Sequence, residues 1–109
     1  MAMRHFNVGA LRSSHSERGE LYDEFLRVDS LSAGMYVLPA AEPDPQTPHD
    51  EDELYVVLAG SASFTASDET IVVGPGTTIF VPAHEVHRFH DVTERLEVVV
   101  VFAPPESEQ

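Results

Sequence analysis

Two β-forming runs, each bounded by glycine or proline and each carrying a histidine at its mouth, constrain this chain more than any other feature. The first is Thr47-Pro48-His49-Asp50-Glu51-Asp52-Glu53-Leu54-Tyr55-Val56-Val57-Leu58-Ala59-Gly60. The second runs from Gly76 through Thr77, Thr78, Ile79, Phe80 and Val81 to Pro82, with His84 and His87 beyond it. Tyr-Val-Val-Leu closed by a glycine favours a strand, because β-branched and aromatic side chains fit a pleated, half-buried surface. The four-residue spacing of His49 and Glu53 would put both on one face of a helix, as in helical zinc motifs. On one continuous strand they share a face but lie about 13 Å apart, too far for a common ligand. If both act at one point, Asp50-Glu51-Asp52 has to turn the chain back, and three acidic residues in a row suit an exposed turn.

The rest of the chain reads as short strands with turn residues between them. Residues 1–20 form a mixed, polar arm in which Ser13–Gly19 reads as a loop and His5 and His15 as solvated side chains. Residues 21–28 fit a helical face through Leu21, Tyr22, Phe25 and Leu26, and equally fit strand alternation at Leu26 and Val28. Ala33–Leu38 is a strand closed by Pro39. Four prolines, at 39, 43, 45 and 48, make the following segment an exposed loop of restricted backbone that delivers the chain to His49. Tyr55–Leu58 is a strand, Ala59-Gly60-Ser61 a turn, and Ala62–Ala66 the return strand of a hairpin. Thr70–Val73 follows, then Gly74-Pro75-Gly76, the strongest turn signal in the chain. Thr78–Val81, His87–His90 and Leu96–Phe102 are further strands, with Pro82–Val86 and Asp91–Glu94 as the turns. Residues 104–109 are the tail, in which Pro104-Pro105 ends the last strand and residues 106–109 fray. No helix longer than about two turns is needed, and the pattern is that of an all-β sandwich or barrel.

Composition narrows the chemistry. A chain of 109 residues fits one domain with a real hydrophobic core. A net charge of −13 disfavours nucleic acid and anionic membranes as partners. No apolar leader follows Met1, and no apolar run is long enough to span a bilayer, so the expected location is cytoplasmic. The cysteine count is 0, which removes thiol nucleophiles, disulfides and thiolate ligands. All six basic residues are arginines, so a lysine Schiff base is excluded. Chemistry is left to His, Asp, Glu, Tyr, Ser, Thr and Arg. Two imidazoles and one carboxylate at strand mouths match a mononuclear metal site with open positions. Scattered polar histidines and a solvated acidic run account for the same residues, and spacing leaves both readings open.

The two runs resemble the paired motifs of the cupin superfamily. The first family motif, His-x-His, three residues, Glu, six residues, Gly, is met at His49, Glu53 and Gly60, with Thr47 where the first histidine usually stands. The second, Gly, five residues, Pro-x-Gly, two residues, His, three residues, Asn, is met at Gly76, Pro82 and His87. There His84 replaces the glycine and Asp91 the asparagine. The resemblance covers about residues 34–103 and implies an all-β double-stranded β-helix, or jelly-roll barrel, with ligands inside one mouth.

The resemblance also implies a common homodimer, which suits Leu96–Phe102, apolar on both faces and therefore covered within the barrel or by a second subunit. It implies one divalent transition ion, with iron, zinc, manganese and nickel not distinguished, held by His49, Glu53 and His87. Thr47 either hydrogen-bonds a metal-bound water or is simply a turn threonine. Tyr55 should share the inward face with Glu53, as a packed core residue or as an acid. His84 falls in an exposed turn. His90 is out of phase with His87 and points away, whereas Phe89 shares its phase and lines the pocket. The activity expected is metal-dependent oxidation or isomerisation of a small organic molecule, of dioxygenase or isomerase type. The alternative is a non-catalytic barrel that binds a small ligand with or without metal. The absence of room for a fused DNA-binding module favours the enzyme.

Overall fold

The computed structural model describes residues 3–18, 21–45 and 47–107. Six strands and one helix follow in order: α1 (Val8–Arg18), β1 (Tyr22–Arg27), β2 (Ser32–Leu38), β3 (Asp52–Ala66), β4 (Glu69–Val73), β5 (Thr78–Val81) and β6 (His87–Ala103). The pairings are antiparallel, in the order β1-β2-β6-β3-β4, with β5 pairing β3 beside β4. The expected all-β architecture is present.

The frame is a long ribbon made by β3 and β6. It pairs from Asp52↔Ala103 at one end to Ala66↔His87 at the other. Drawn straight, the thirteen steps from Glu53 to Ala66 would span about 43 Å. The ribbon instead bends back on itself where its register slips between Val57 and Ser63. Gly60 sits in that bend with φ of +98°, and a Cβ there would lie 2.3 Å from the Arg95 carbonyl oxygen. Only glycine combines that backbone with so close an approach. The expected turn at Ala59-Gly60-Ser61 is therefore a bulge inside one continuous strand, because Ala62–Ala66 continues along β6 instead of folding back on Tyr55–Leu58. For the same reason Asp91–Glu94 does not separate two strands: β6 runs through it, with Asp91 at φ of +50°.

The core lies between the two halves of the folded ribbon. Alternate residues of β3, Tyr55, Val57, Ala62 and Phe64, meet Leu96, Val98, Val100 and Phe102 of β6 and Tyr36 and Leu38 of β2. Tyr55 also packs edge-on to Phe64 and Phe89, with ring centroids 5.8 and 5.2 Å apart. Phe89 is wholly buried in this cluster, so it is a core residue and does not border the cavity as expected.

The opposite face of β2 and β6 carries Ala33, Met35 and Val37 beside Val101, Val99 and Glu97. Helix α1 packs on β1 and β2, is longer than the two turns expected at most, and occupies residues 13–18 of the expected loop, whose Gly19 lies outside the described residues. Asn7 caps it by accepting a hydrogen bond from the Ala10 amide at 3.1 Å. His15, expected to be solvated, is 3% exposed and has its Nε2 2.9 Å from the Leu21 carbonyl. Arg12 pairs with Glu97 at 2.6 Å. These polar contacts dock a helix with little amphipathic character of its own, so its stability comes from tertiary contact more than from propensity. In the ambiguous segment 21–28, Tyr22–Arg27 is strand β1, paired antiparallel with β2 across a register shift between Glu24 and Leu26.

Candidate functional site

The two runs that open the sequence are zipped to each other. Glu53↔Val81 through Val56↔Thr78 pair in β3 and β5, and the Gly76 amide donates to the Val57 carbonyl at 2.9 Å. The turn after β5 then pins the His49 segment. The His84 amide donates to the His49 carbonyl at 2.8 Å, and the Ala83 amide to Asp52 Oδ1 at 2.9 Å. Bending the β3–β6 ribbon carries His87, opposite Ala66, back over Glu53.

The result is a buried polar cluster. His87 Nε2 lies 2.9 Å from Glu53 Oε2, and His49 Nε2 lies 3.3 Å from Glu53 Oε1. The Tyr55 hydroxyl donates to Glu53 Oε2 at 2.8 Å and stands 3.1 Å from His87 Nε2. Glu53 is 1% exposed, and its Oε1 is buried with no hydrogen-bond partner. His87 Nδ1 is 2.7 Å from the Glu85 carbonyl, which can only accept, so Nδ1 carries a proton and Nε2 faces the carboxylate. Burial works against an imidazolium at His87. The hydrogen bonds to Glu53 and to the Glu85 carbonyl outweigh it, so the pKa lies above the ordinary histidine value.

The expected ligand trio is thus brought together, with Tyr55 added to it as a hydroxyl donor. Tyr55 is at once the expected core residue and a member of the cluster. Among the described residues, however, no group of three His, Asp or Glu side chains stands as a preformed metal cage. His49 and His87 address different oxygens of Glu53, and the Tyr55 hydroxyl sits against the Glu53–His87 pair.

The chemistry of the donors nonetheless suits a divalent ion. When the Nε2 of a neutral His87 faces a carboxylate oxygen, two acceptors confront each other at 2.9 Å, and that needs a proton or a cation between them. Two donors each about 2.1 Å from one ion and at right angles to each other lie about 3.0 Å apart, close to the distances here.

A cavity of about 670 Å³ opens above the cluster, lined in part by Tyr22, Tyr36, Thr47, His49, Tyr55 and Phe102. Thr47 therefore borders the same space as His49, whereas Glu53 and His87 lie outside its lining. The Tyr36 hydroxyl donates to Asp44 Oδ1 at 2.6 Å, and Asp44 Oδ2 accepts the Phe89 amide at 2.9 Å. Burial, and then the hydrogen bond to Asp44, push the Tyr36 phenol well above its ordinary pKa. His84, 72% exposed in its side chain, reaches Asp50, and His90 turns to Thr65 and Asp91, so both lie outside the cluster as expected.

Two parts of this site escape the sequence. Glu51, expected in an exposed acidic turn, is 3% exposed and accepts a hydrogen bond from Ser107 at 2.6 Å. The tail expected to fray returns to the cavity as far as it is described, and Glu106 lines it with Oε2 3.6 Å from His49 Nδ1. A carboxylate beyond a proline pair, with no motif around it, gives no signal in sequence. The last two residues, 108 and 109, lie outside the described residues.

Comparison with known proteins agrees with this geometry. The Cupin domain family (Cupin_2) matches residues 34–102. An uncharacterized protein of Streptomyces coelicolor is 41% identical over 105 residues, 96% of this chain and 100% of the relative. The crystal structure of TT1209 from Thermus thermophilus superposes with a TM-score of 0.75 at 20% identity, covering 94% of this chain and 99% of that one. A cupin protein of Methanocaldococcus jannaschii with a double-stranded β-helix fold superposes with a TM-score of 0.68 at 20% identity, over 76% and 78% of the two chains. With its paired motifs folded onto one another across a bent ribbon, the chain belongs to the cupin family.

Proposed function

We propose that this cupin holds one divalent first-row ion through His49, Glu53 and His87 and uses it on a small organic molecule in the cavity, in a reaction of oxygenase or isomerase type. One observation carries the reading: the buried, unpartnered Glu53 Oε1 facing His49 Nε2, with His87 Nε2 at the other oxygen. A bound ion would supply Lewis-acid polarisation of a chelating substrate oxygen. The chain's own residues supply the rest. Tyr22, Tyr36, Val100 and Phe102 offer a largely aromatic wall, and Thr47 a hydroxyl on the lining that it shares with His49. The Tyr55 hydroxyl, shared between Glu53 and His87, holds a proton at the floor of the cavity.

A second reading is a barrel that binds a small molecule without metal. It is supported by Tyr55, whose hydroxyl donates to Glu53 Oε2 at 2.8 Å. Elemental analysis of the purified protein separates the two. One ion per chain, lost in His87→Ala and retained in His90→Ala, is expected. A wild-type chain that stays empty after incubation with iron, zinc, manganese and nickel salts sinks the metal reading and leaves the metal-free barrel.

The same reading includes a homodimer. It is supported by the outer sheet face, where Phe80 (62% exposed) and Leu54 (39%) are cross-strand neighbours and Leu54 pairs in turn with Val101.

A further inference from the structure

Strand β1 does not keep one alternation. Tyr22 stands opposite Tyr36 and Glu24 opposite Gly34, but the register then slips, so that Leu26 faces Ala33 and Arg27 faces Ser32. Without the slip Leu26 would stand opposite Ser32, and the strand would send every second side chain to one face throughout. Phe25, at the slip, packs against Phe6 with ring centroids 4.9 Å apart. As a result Tyr22, Glu24 and Arg27 border the cavity and Leu26 does not. A bulge gives up ladder bonds and re-aims the side chain beyond it. Here it puts a guanidinium where alternation would put a leucine.

What the guanidinium reaches is the segment after β6. Arg27 Nη2 donates to the Glu106 carbonyl at 2.8 Å, and Nη1 donates to Glu24 Oε1 at 3.0 Å. The planar fork lets one side chain serve both acceptors. Ser32, the cross-strand partner of Arg27, holds the other side of the same residue: its buried Oγ accepts the Glu106 amide at 2.9 Å. One residue on, the Ser107 hydroxyl donates to Glu51 Oε2 at 2.6 Å. Residues 104–107 thus form a strap tied to β1, to β2 and to the residue ahead of β3. Glu106 and Ser107 are themselves part of the cavity lining.

We propose that Arg27 is a positioning residue of the small-molecule site: turned inward by the β1 bulge, it clamps the strap in place as a wall of the cavity and so limits the passage of small molecules. The clamp stands on geometry alone, and its value to a ligand rests on the reading given under Proposed function.

The test uses the full chain, treated with a chelator so that every variant is compared in one metal state. The chain has no tryptophan, and its three tyrosines, Tyr22, Tyr36 and Tyr55, all border the cavity, so tyrosine emission reports on that space. Collisional quenching by acrylamide, a small neutral probe, measures entry. Proton exchange at the Glu106 amide measures release of the strap from Ser32. In Arg27→Met both are expected to rise about three- to tenfold, the net contribution of one hydrogen bond. Thermal unfolding is expected to stay nearly unchanged, because the Arg27–Glu24 pair is exposed. Arg27→Lys keeps the charge without the fork and is expected to fall between the two. Ser107→Ala loosens the strap without touching β1 and is expected to raise both readouts as well.

Faster Glu106 exchange with unchanged quenching in Arg27→Met would show that the strap is no wall, and no change in either would show that Arg27 does not hold it. Each result overturns the proposal. If Arg27→Met fails to fold, Arg27→Lys is read in its place against the same two outcomes. Neither readout needs a metal, so a chain that binds no ion leaves the clamp standing, and a failed clamp leaves the metal reading standing.

Discussion

Replacing Gly60 with alanine tests the bend that assembles the site. Two separate costs follow from the geometry. At φ of +98° an L-residue is in the left-handed region, which costs roughly 1–2 kcal/mol. The new Cβ would also sit 2.3 Å from the Arg95 carbonyl oxygen and 2.7 Å from the Leu96 Cα. Both are backbone atoms, so neither can swing aside, and overpacking of this kind adds about 1–3 kcal/mol. The sum, about 2–5 kcal/mol, is a large part of the roughly 5–15 kcal/mol typical of a domain. Gly76→Ala is the internal control. Its φ of +93° is nearly the same, but nothing lies within 4 Å of the added carbon, so only the backbone cost of about 1–2 kcal/mol applies. Urea denaturation of both variants, read as a change in midpoint at constant slope, isolates the contact between β3 and β6 at the bend. Gly60→Ala is expected to be the worse of the two by about 1–3 kcal/mol. Equal losses in the two variants would refute the idea that β3 and β6 are pressed together at the bend.

Three other outcomes are expected. Tyr55→Phe removes a buried hydrogen bond to the Glu53 carboxylate and should cost about 1.5–3 kcal/mol in chemical denaturation; a loss below 0.5 kcal/mol would mean the hydroxyl is not seated there. The Tyr36 phenol titrates well above its unfolded value of about 10 because of burial and Asp44, so the unfolded chain loses that proton first. Stability should be intact below about pH 10 and fall as pH rises beyond it, with Tyr36→Phe reducing the slope by about 1.4 kcal/mol per pH unit. Phe80→Asp puts a charge into the exposed outer row and should convert the proposed homodimer to monomer in sedimentation velocity, and a wild-type chain that sediments only at 12.0 kDa removes the dimer.

Strand positions were legible because they rest on local chemistry. Tyr55–Leu58 and Thr78–Val81 are β-branched and aromatic, and each ends at a glycine or a proline. What a glycine does was not legible: Gly60 and Gly76 look alike in sequence, yet one bends a strand and the other caps a turn. The helix escaped because Val8–Arg18 is held by Asn7, Arg12 and His15 and shows no apolar stripe. The motif departures, in contrast, acquire a backbone meaning. His84 stands at φ of +69° where the family has glycine, and Asp91 at φ of +50° where it has asparagine, a pair that tolerates the left-handed region. At both positions the motif reports a conformation and not a ligand. Site residue types were legible too, but their convergence was not, since it depends on a ribbon of some 43 Å folding in half. Glu106 lay beyond any pattern, since a single acidic residue after Pro104-Pro105 is indistinguishable from a solubilising charge.

Strand β6 lies between β2 and β3 in the sheet although it follows both in the chain. During synthesis from the amino end, Ser32–Leu38 and Asp52–Ala66 therefore leave the ribosome as neighbours without the strand that joins them. Every residue of β2 that ends up buried waits with an open hydrogen-bonding edge, and closing Ser32↔Phe102 bridges almost the whole sheet-forming part of the chain. Pairings this distant in sequence make for slow folding and for a long-lived sticky edge on the nascent chain. The acidic residues that precede β6 would then have a use beyond the folded surface, since their mutual repulsion would help to keep neighbouring nascent chains apart until β6 arrives.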